Sequence, residues 1–456
     1  MKNRFSSYWF RSAFYSFFQR FSLTFFGLIN FMILTRIISE NQLGTWALFL
    51  IITGVFEATK SNLLKNAHVK YVSASPEKNE KIAIASSSFL INTCISILFI
   101  LVIIFFSEWL SQWLNAGLDL AQMLVWFIPG MLFMIFFTHF ESVQQSHLDF
   151  KGVFAGYFIR QIFFFVVLLT YWILKKPLSL PLLAIYQSLS IALGSLVLYF
   201  FSRKYLSHQF IASRVWVKKI FGYGGYIFGS GLVANIANNL DQVMIARYVP
   251  GSVAYYNVAS RINNLVDMPS YAAADIIFPK ASLASAEEGP ARVKYLFERM
   301  IAILIAITIP AAVFIILFPK FVTTVIAGAA YTPAAGILQI YMVTGILRPA
   351  QNQAANLLNS IGKPRVTFIM NTISLSILLL LNYICLKQFG FYGAAIGTLI
   401  TTLISFITWY FLMRKMINLD LSSVLKHIIS TYSFFYQLVK GIITRKRKNQ
   451  EPERGL

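Results

Sequence analysis

The chain has 456 residues, 57% of them apolar and only 12% charged, and its mean hydropathy is +0.66. A soluble domain uses roughly twice that share of charged residues, so a water-soluble fold is excluded. The formal charge of +22 gathers at the ends of apolar runs, where it reads as membrane topology and contact with anionic lipid, and leaves nucleic-acid binding no place.

Taken in chain order, the apolar runs predict twelve membrane helices, over residues 12–36, 43–64, 83–106, 120–146, 153–174, 178–201, 221–247, 253–278, 296–318, 333–359, 366–386 and 391–413. Runs such as "SFLINTCISILFILVIIFF" (88–106) and "MIAILIAITIPAAVFIILF" (300–318) approach or reach the length that crosses about 30 Å of hydrocarbon. No small-residue cleavage site follows the first apolar stretch, so the first helix is expected to be retained. Cys94 and Cys385 lie inside predicted spans and read as packing residues. The expected organisation is all-α: a six-helix lobe over 1–202, a basic linker over 203–219, a second six-helix lobe over 220–413, and a tail over 414–456.

Lys and Arg placement orients this array. Of the 39, 28 fall at the N-terminus, in alternate loops and in the tail, whereas Arg36, Lys175, Lys176, Arg247, Lys320 and Lys387 fall on the opposite side and five lie within spans. With an even number of spans, this bias puts both termini in the cytoplasm. In the tail, Leu421, Val424, Leu425, Ile428, Ile429, Tyr432, Phe435, Val439, Ile442 and Ile443 recur at helical spacing and predict an interfacial amphipathic helix ending in the basic cluster 445–448. A thirteenth span would carry that cluster to the wrong side.

Polar elements recur in both halves. "MILTRIISENQLGTWALF" resembles "VMIARYVPGSVAYYNVAS", each with an apolar helix end, an arginine (Arg36 or Arg247), a turn with Gly44 or Gly251, and an aromatic restart. A second echo pairs "SVQQSHLDFKGVFAGYF" with "QAANLLNSIGKPRVTFI", and both lags are near 211 residues. Two tandem bundles of the same topology, facing one another across a central cavity, are expected from this repeat. Taken singly, Arg36 and Arg247 read as interfacial residues that reach headgroups.

Hydrocarbon rejects ionised groups at a cost of several kcal/mol, so charged residues inside spans are expected to line a wet cavity or to pair. Asn235, Asn238 and Asp241 recur three apart, as do Arg261, Asn264 and Asp267, so each set forms a polar stripe on its helix. Arg348, Asn352 and Asn356 make a similar face on the tenth span, with Lys60 on the second. The expected substrate-binding residues are therefore Arg261, Arg348, Lys60, Asn235, Asn238, Asn264 and Asn352. Asp241 and Asp267 are candidates for coupling to a proton or Na⁺, and Arg20, Glu57, Glu141, Arg160, Asp275 and Asn356 are weaker cavity candidates. A pair between Glu57 and Lys60 is the plainer reading of those two. Such a cavity suits a ligand that carries phosphate and sugar hydroxyls. Phosphate-binding loops, metal-ligand spacing and clustered histidines are lacking, and neither an enzyme nor a metal cofactor is expected.

The stretches "FFGLINFMILTRIISENQLGTWALF", "NLDQVMIARYVPGSVAYYNVASRINNLVDMPSYAAADIIFPKAS" and "NLLNSIGKPRVTFIMNTISLSILLLLNYICLKQFGFYGAAIGTLIT" resemble the polysaccharide exporters and oligosaccharide flippases of the multidrug/oligosaccharidyl-lipid/polysaccharide transporter superfamily. The resemblance spans roughly residues 10–413. It implies a MATE-like bundle of twelve or fourteen helices in the bacterial inner membrane that flips polyprenyl-pyrophosphate-linked oligosaccharide by alternating access. A monomer is expected because each chain supplies both halves of the cleft, and glycan-assembly enzymes are the partners that such a pathway offers. A cation-coupled drug or metabolite exporter of the same superfamily is the nearest alternative, and a membrane glycan polymerase or ligase is the alternative from another class.

Overall fold

The computed structural model describes residues 2–147, 149–207, 209–270, 289–361 and 363–448, and nearly all of them are helical. The helices are α1 (Lys2–Ile37), α2 (Glu40–Lys60), α3 (Asn66–Ala74), α4 (Lys78–Trp113), α5 (Gly117–Trp126), α6 (Ile128–Ser146), α7 (Phe150–Leu174), α8 (Leu180–Ser202), α9 (Arg214–Tyr248) and α10 (Val253–Val266). There follow α11 (Pro290–Leu317), α12 (Pro319–Ala327), α13 (Ala334–Ser360), α14 (Pro364–Phe389), α15 (Phe391–Ile417) and α16 (Leu421–Lys448). Most spans expected from the sequence fall on single helices, but 120–146 is divided between α5 and α6, 43–64 runs past the end of α2, and residues 271–278 of the eighth lie outside the described residues.

Eight of the helices among the described residues are long and apolar enough to cross a membrane, or nine if α5 and α6, bent by 44° at Phe127, make one span. The expected spans that are not among them are α9, α10 and α13, which carry the polar stripes. The second span differs from expectation at its end. Instead of turning near residue 64, the chain passes through a π-helical turn (Ser61–Lys65) into α3. Neither Gly nor Pro occurs between Lys60 and Ser75, so nothing local stops the helix until Pro76.

Helix packing groups the chain into a first unit of residues 1–257 and 324–332 and a second of residues 258–323 and 333–456. In the first unit α7 packs on α1 and α8, α8 on α6, and α9 on α2, the π turn and α4. A cross-linked aromatic set holds its centre: Trp46 stacks on Phe49 at 5.1 Å and on Phe164 at 6.1 Å, and Phe49 meets Phe127 edge-on at 5.1 Å. The repeat shows here as two related helix caps. Arg36 of the first repeat donates to the carbonyls of Val325 and Ile326 at the end of α12, at 3.0 and 3.4 Å. Asn115, in the left-handed conformation at φ 51°, donates to the carbonyls of Ala246 and Arg247 at the end of α9, at 3.3 and 2.9 Å. The lag of 211 that separates Arg36 from Arg247 also separates Asn115 from Ile326. The first repeat thus satisfies orphan carbonyls of the second at two related places. Arg36, read as a headgroup-facing residue, is engaged in this cap.

The second unit is built on α11, α13, α14 and α15, with Phe297, Ile301, Leu357, Leu358, Trp409 and Met413 in its core. Here α14 and α15 approach closely at Gly393 and Gly397, where a Cβ would overlap the Cys385 carbonyl and the Asn382 side chain. The tail forms the expected helix, and it packs on α11 through Val424 and Ile428, with Leu425 and Ile429 exposed. Pro310 lacks an N–H, so the carbonyl four residues before it, on Ala306, has no helical donor. The Tyr432 hydroxyl donates to that carbonyl at 2.9 Å. The tail therefore lies against a membrane-spanning helix as far as the middle of that helix.

Two outcomes follow. Gly393→Ala should destabilise the protein by about 1–3 kcal/mol through overpacking, read as detergent thermal unfolding, whereas Gly27→Ala, with open space around it, should change little. Asp420, at the N-terminus of α16, accepts from the hydroxyls of Ser422 and Ser423 at 2.6 and 2.9 Å, and these bonds hold its carboxyl down to about 2. A carboxyl lowered on folding stabilises above its unfolded value and loses that contribution as pH falls towards its folded value. Docking of α16, followed by an environment-sensitive probe at residue 425, should hold from pH 7 to 5 and weaken between about pH 4 and 2, and Asp420→Asn should flatten that acid limb.

Candidate functional site: buried polar clusters within the membrane helices

The described residues place the predicted polar groups in three clusters, two in the first unit and one in the second. The first cluster joins α2, the π turn, α6 and α7. Arg160, buried on α7, pairs with Glu57 at 2.8 Å. Glu141, buried on α6, receives Lys65 at 2.7 Å, the Tyr157 hydroxyl at 3.2 Å and the Gln145 amide at 3.1 Å. Glu57 therefore pairs across helices with Arg160, not along α2 with Lys60. Lys60 is 1% exposed, lies over the Phe56 ring at 4.7 Å, and its ammonium has no hydrogen-bond acceptor among the described residues. It borders a small cavity with Ser61, Ser88, Asn92 and Thr138. The π turn that follows Lys60 shifts the helical phase and sends Lys65 to Glu141.

The second cluster joins α9 to the start of α10. Asp241 is buried and accepts from the Tyr256 hydroxyl at 2.6 Å. Gln242 and Asn257 are both buried and bond at 2.8 Å. One α-turn earlier, the Asn239 amide donates to the Asn235 carbonyl and side-chain oxygen at 2.9 and 3.3 Å. Asn235 is half-buried and Asn238 is exposed, so the predicted stripe rotates from the surface at its start to the interior at Asp241.

The third cluster joins α10 to α13 in the second unit. Asp267, 1% exposed, lies 3.2 Å from Arg348. Asn263 completes the set: with its amide oriented to satisfy both neighbours, its oxygen accepts from Arg348 at 2.7 Å and its nitrogen donates to the Tyr341 carbonyl at 3.3 Å. Gln353, also buried, donates to the Ser270 carbonyl at 2.8 Å, and Asn356 donates to Gln353 at 3.3 Å. Each of these bonds meets the requirement that polar groups removed from water be paired.

The predicted residues separate accordingly. Asp267 and Arg348 come together, as do Glu57 and Arg160, while Asn352 and Arg261 are half-buried, and Asn264 and Arg20 are exposed. Asp275 lies outside the described residues. Sequence reasoning missed Tyr256 as the donor to Asp241 and Lys65 as the partner of Glu141. An ion pair across helices leaves no mark at fixed spacing: 76 residues separate Lys65 from Glu141.

Comparison with known proteins extends this picture. An uncharacterized membrane protein of Methanocaldococcus jannaschii is 24% identical over 217 residues, which are 47% of this chain and 43% of that protein. A protein of Escherichia coli K12 named lipopolysaccharide biosynthesis protein WzxC is 21% identical over 427 residues, 90% of this chain and 81% of that one. Among solved structures, an inward closed lipid II flippase MurJ superposes with a TM-score of 0.76 at 16% identity, covering 94% of this chain and 93% of MurJ. An inward-facing multidrug resistance MATE family transporter of the MOP superfamily gives 0.76 at 15% identity, covering 89% and 96%. At such identities the structures share the fold alone, and that fold is the MATE-like helical bundle the sequence suggested. Residues 33–336 match the family described as polysaccharide biosynthesis protein. This chain is a multi-spanning membrane protein, and it belongs to the polysaccharide biosynthesis protein family.

Proposed function

We propose that the chain is a flippase that moves a lipid-linked oligosaccharide, carried on polyprenyl pyrophosphate, across the bacterial inner membrane by alternating access. The observation that carries this reading is membership of a polysaccharide biosynthesis family by a chain whose helices hold buried, paired charges inside a membrane fold. A glycan made on one side of the bilayer and used on the other needs a polar route, and hydrocarbon supplies none. On this reading both termini face the cytoplasm, where Lys and Arg concentrate. Arg261, Arg348 and Lys60 are assigned to the phosphates and the asparagines of α9, α10 and α13 to sugar hydroxyls. Asp241 and Asp267 are assigned to a proton or Na⁺ that drives the cycle. The protein acts as a transporter without catalysing a covalent step, and works as a monomer beside the enzymes that assemble the glycan.

The direct test is translocation of a labelled polyprenyl-pyrophosphate oligosaccharide in proteoliposomes under proton and Na⁺ gradients. Wild type should translocate it, and Arg261→Ala and Asp241→Asn, checked for folding and insertion, should be at least tenfold slower. No wild-type translocation with several such lipids under either gradient would shift the assignment to export of a small molecule. In the third cluster, Arg348→Ala leaves Asp267 buried beside no arginine at that position, which should cost about 3–5 kcal/mol of stability. Adding Asp267→Asn should restore much of it, read as a less-than-additive double-mutant cycle in detergent melting.

A further inference from the structure

Helix α16 presents three faces. Val424 and Ile428 meet α11. On the far side Ser422, Lys426, Ser430, Ser433 and Gln437 recur at helical spacing and are exposed. Between these two faces runs a third, made of Leu421, Leu425, Ile429 and Tyr432, on which Leu425 is 60% and Ile429 69% exposed. A stripe of large apolar side chains this open calls for an apolar cover.

Depth and charge say what the cover is. The Tyr432 hydroxyl donates to the Ala306 carbonyl at 2.9 Å, and Ala306 lies seven residues past Arg299, the last charged residue of α11. At a rise of about 1.5 Å per residue, that carbonyl is about 10 Å below the charged end of α11. Amphipathic helices settle about 5–10 Å into the boundary between headgroups and acyl chains, and the tyrosine side chain reaches down from a helix at that depth. The Asp420 N–H donates to Glu298 at 2.9 Å, which brings the start of α16, the end of α15 and the start of α11 to one level. Exposed cations lie there: Arg299 on α11, Arg414 and Lys415 in the last turn of α15, and Lys426 on α16. The acids beside them are engaged, Glu298 by the Asp420 N–H and Lys294, and Asp420 by Ser422 and Ser423. The helix itself ends in the sequence "RKRK" (445–448). A bilayer surface with anionic headgroups meets both demands, acyl chains against the stripe and phosphates against the cations.

Tyr432 joins that surface to the interior of the second unit. Pro310 leaves the Ala306 carbonyl without a helical donor, and a helix bends at such a gap. The hydroxyl that fills it stands on the face of α16 that the bilayer covers. We propose that α16 is seated on an anionic lipid surface, and that this seat fixes the hinge at Pro310 of α11. When α16 lifts from the lipid, Tyr432 withdraws and α11 is free to bend. The lipid beside the protein thereby sets the conformational freedom of a membrane-spanning helix.

The experiment uses the full chain, with Cys94 and Cys385 replaced by alanine, in nanodiscs of phosphatidylcholine alone or with phosphatidylglycerol added. A fluorophore attached at Ile429→Cys reports depth through quenching by nitroxides on the lipid chains. In a second sample, spin labels at Ala291→Cys and Leu317→Cys report the bend of α11 as a distance distribution. Phosphatidylglycerol should raise the quenching at least twofold and narrow the distribution to one distance, and added salt should reverse both. Tyr432→Phe in the anionic discs should broaden the distribution while quenching stays high, because only the hydroxyl is lost. Ser433→Ala, on the polar face, should change neither readout. Quenching that is absent, or equal in the two lipids, overturns the anionic seat. A distribution as narrow in Tyr432→Phe as in wild type overturns the link to the hinge, and equal broadening in Ser433→Ala overturns the part given to Tyr432.

Discussion

Every part of this molecule answers to one constraint: a polar group inside a bilayer needs a partner, because hydrocarbon offers none. Backbone amides meet that demand by forming helix, and so nearly every described residue is helical. Side chains meet it by pairing across helices. Arg160 with Glu57, Lys65 with Glu141 and Arg348 with Asp267 each remove a charge that would cost several kcal/mol if left facing lipid. The pairs in turn fix how α2, α6, α7, α10 and α13 are rotated, since a turn of one helix by a third of a revolution would break them.

The same constraint explains what was legible in the sequence. Spans are legible because apolar length is a one-dimensional property, and the polar stripes on α9, α10 and α13 are legible because a recurrence every three or four residues needs no partner to be seen. The partners were not legible. Glu57 and Lys60 share one helix and looked like a pair, yet Glu57 bonds to Arg160, 103 residues away, and Lys60 lies against Phe56. Lys65 reads as a loop lysine until the π turn carries the helix past it. The helix α12 was also not foreseen: nine residues from Pro319 to Ala327 are too short to span, and apolar residues alone did not distinguish them from the end of α11.

The repeat was visible as an echo in sequence, and it shows in the structure as two related caps. Arg36 and Asn115 are chemically unrelated, one a long cation and the other a short amide in a left-handed turn, yet each caps a helix of the second repeat from the first. An alignment of the halves would not pair them by residue type. What the duplication has kept is the need to satisfy the last carbonyls of a helix that ends inside the protein. Different side chains now meet that need.

The bond from Tyr432 to the Ala306 carbonyl has a consequence for how the chain is made. The acceptor emerges from the ribosome 126 residues before the donor. Throughout that interval Pro310 leaves a carbonyl in the middle of α11 that its own helix cannot satisfy. Newly inserted α11 must therefore borrow water, lipid headgroup or an insertion factor at that point until the tail arrives. A later helix thus completes an earlier one, and packing of α11 in the second unit waits for α16 to be translated.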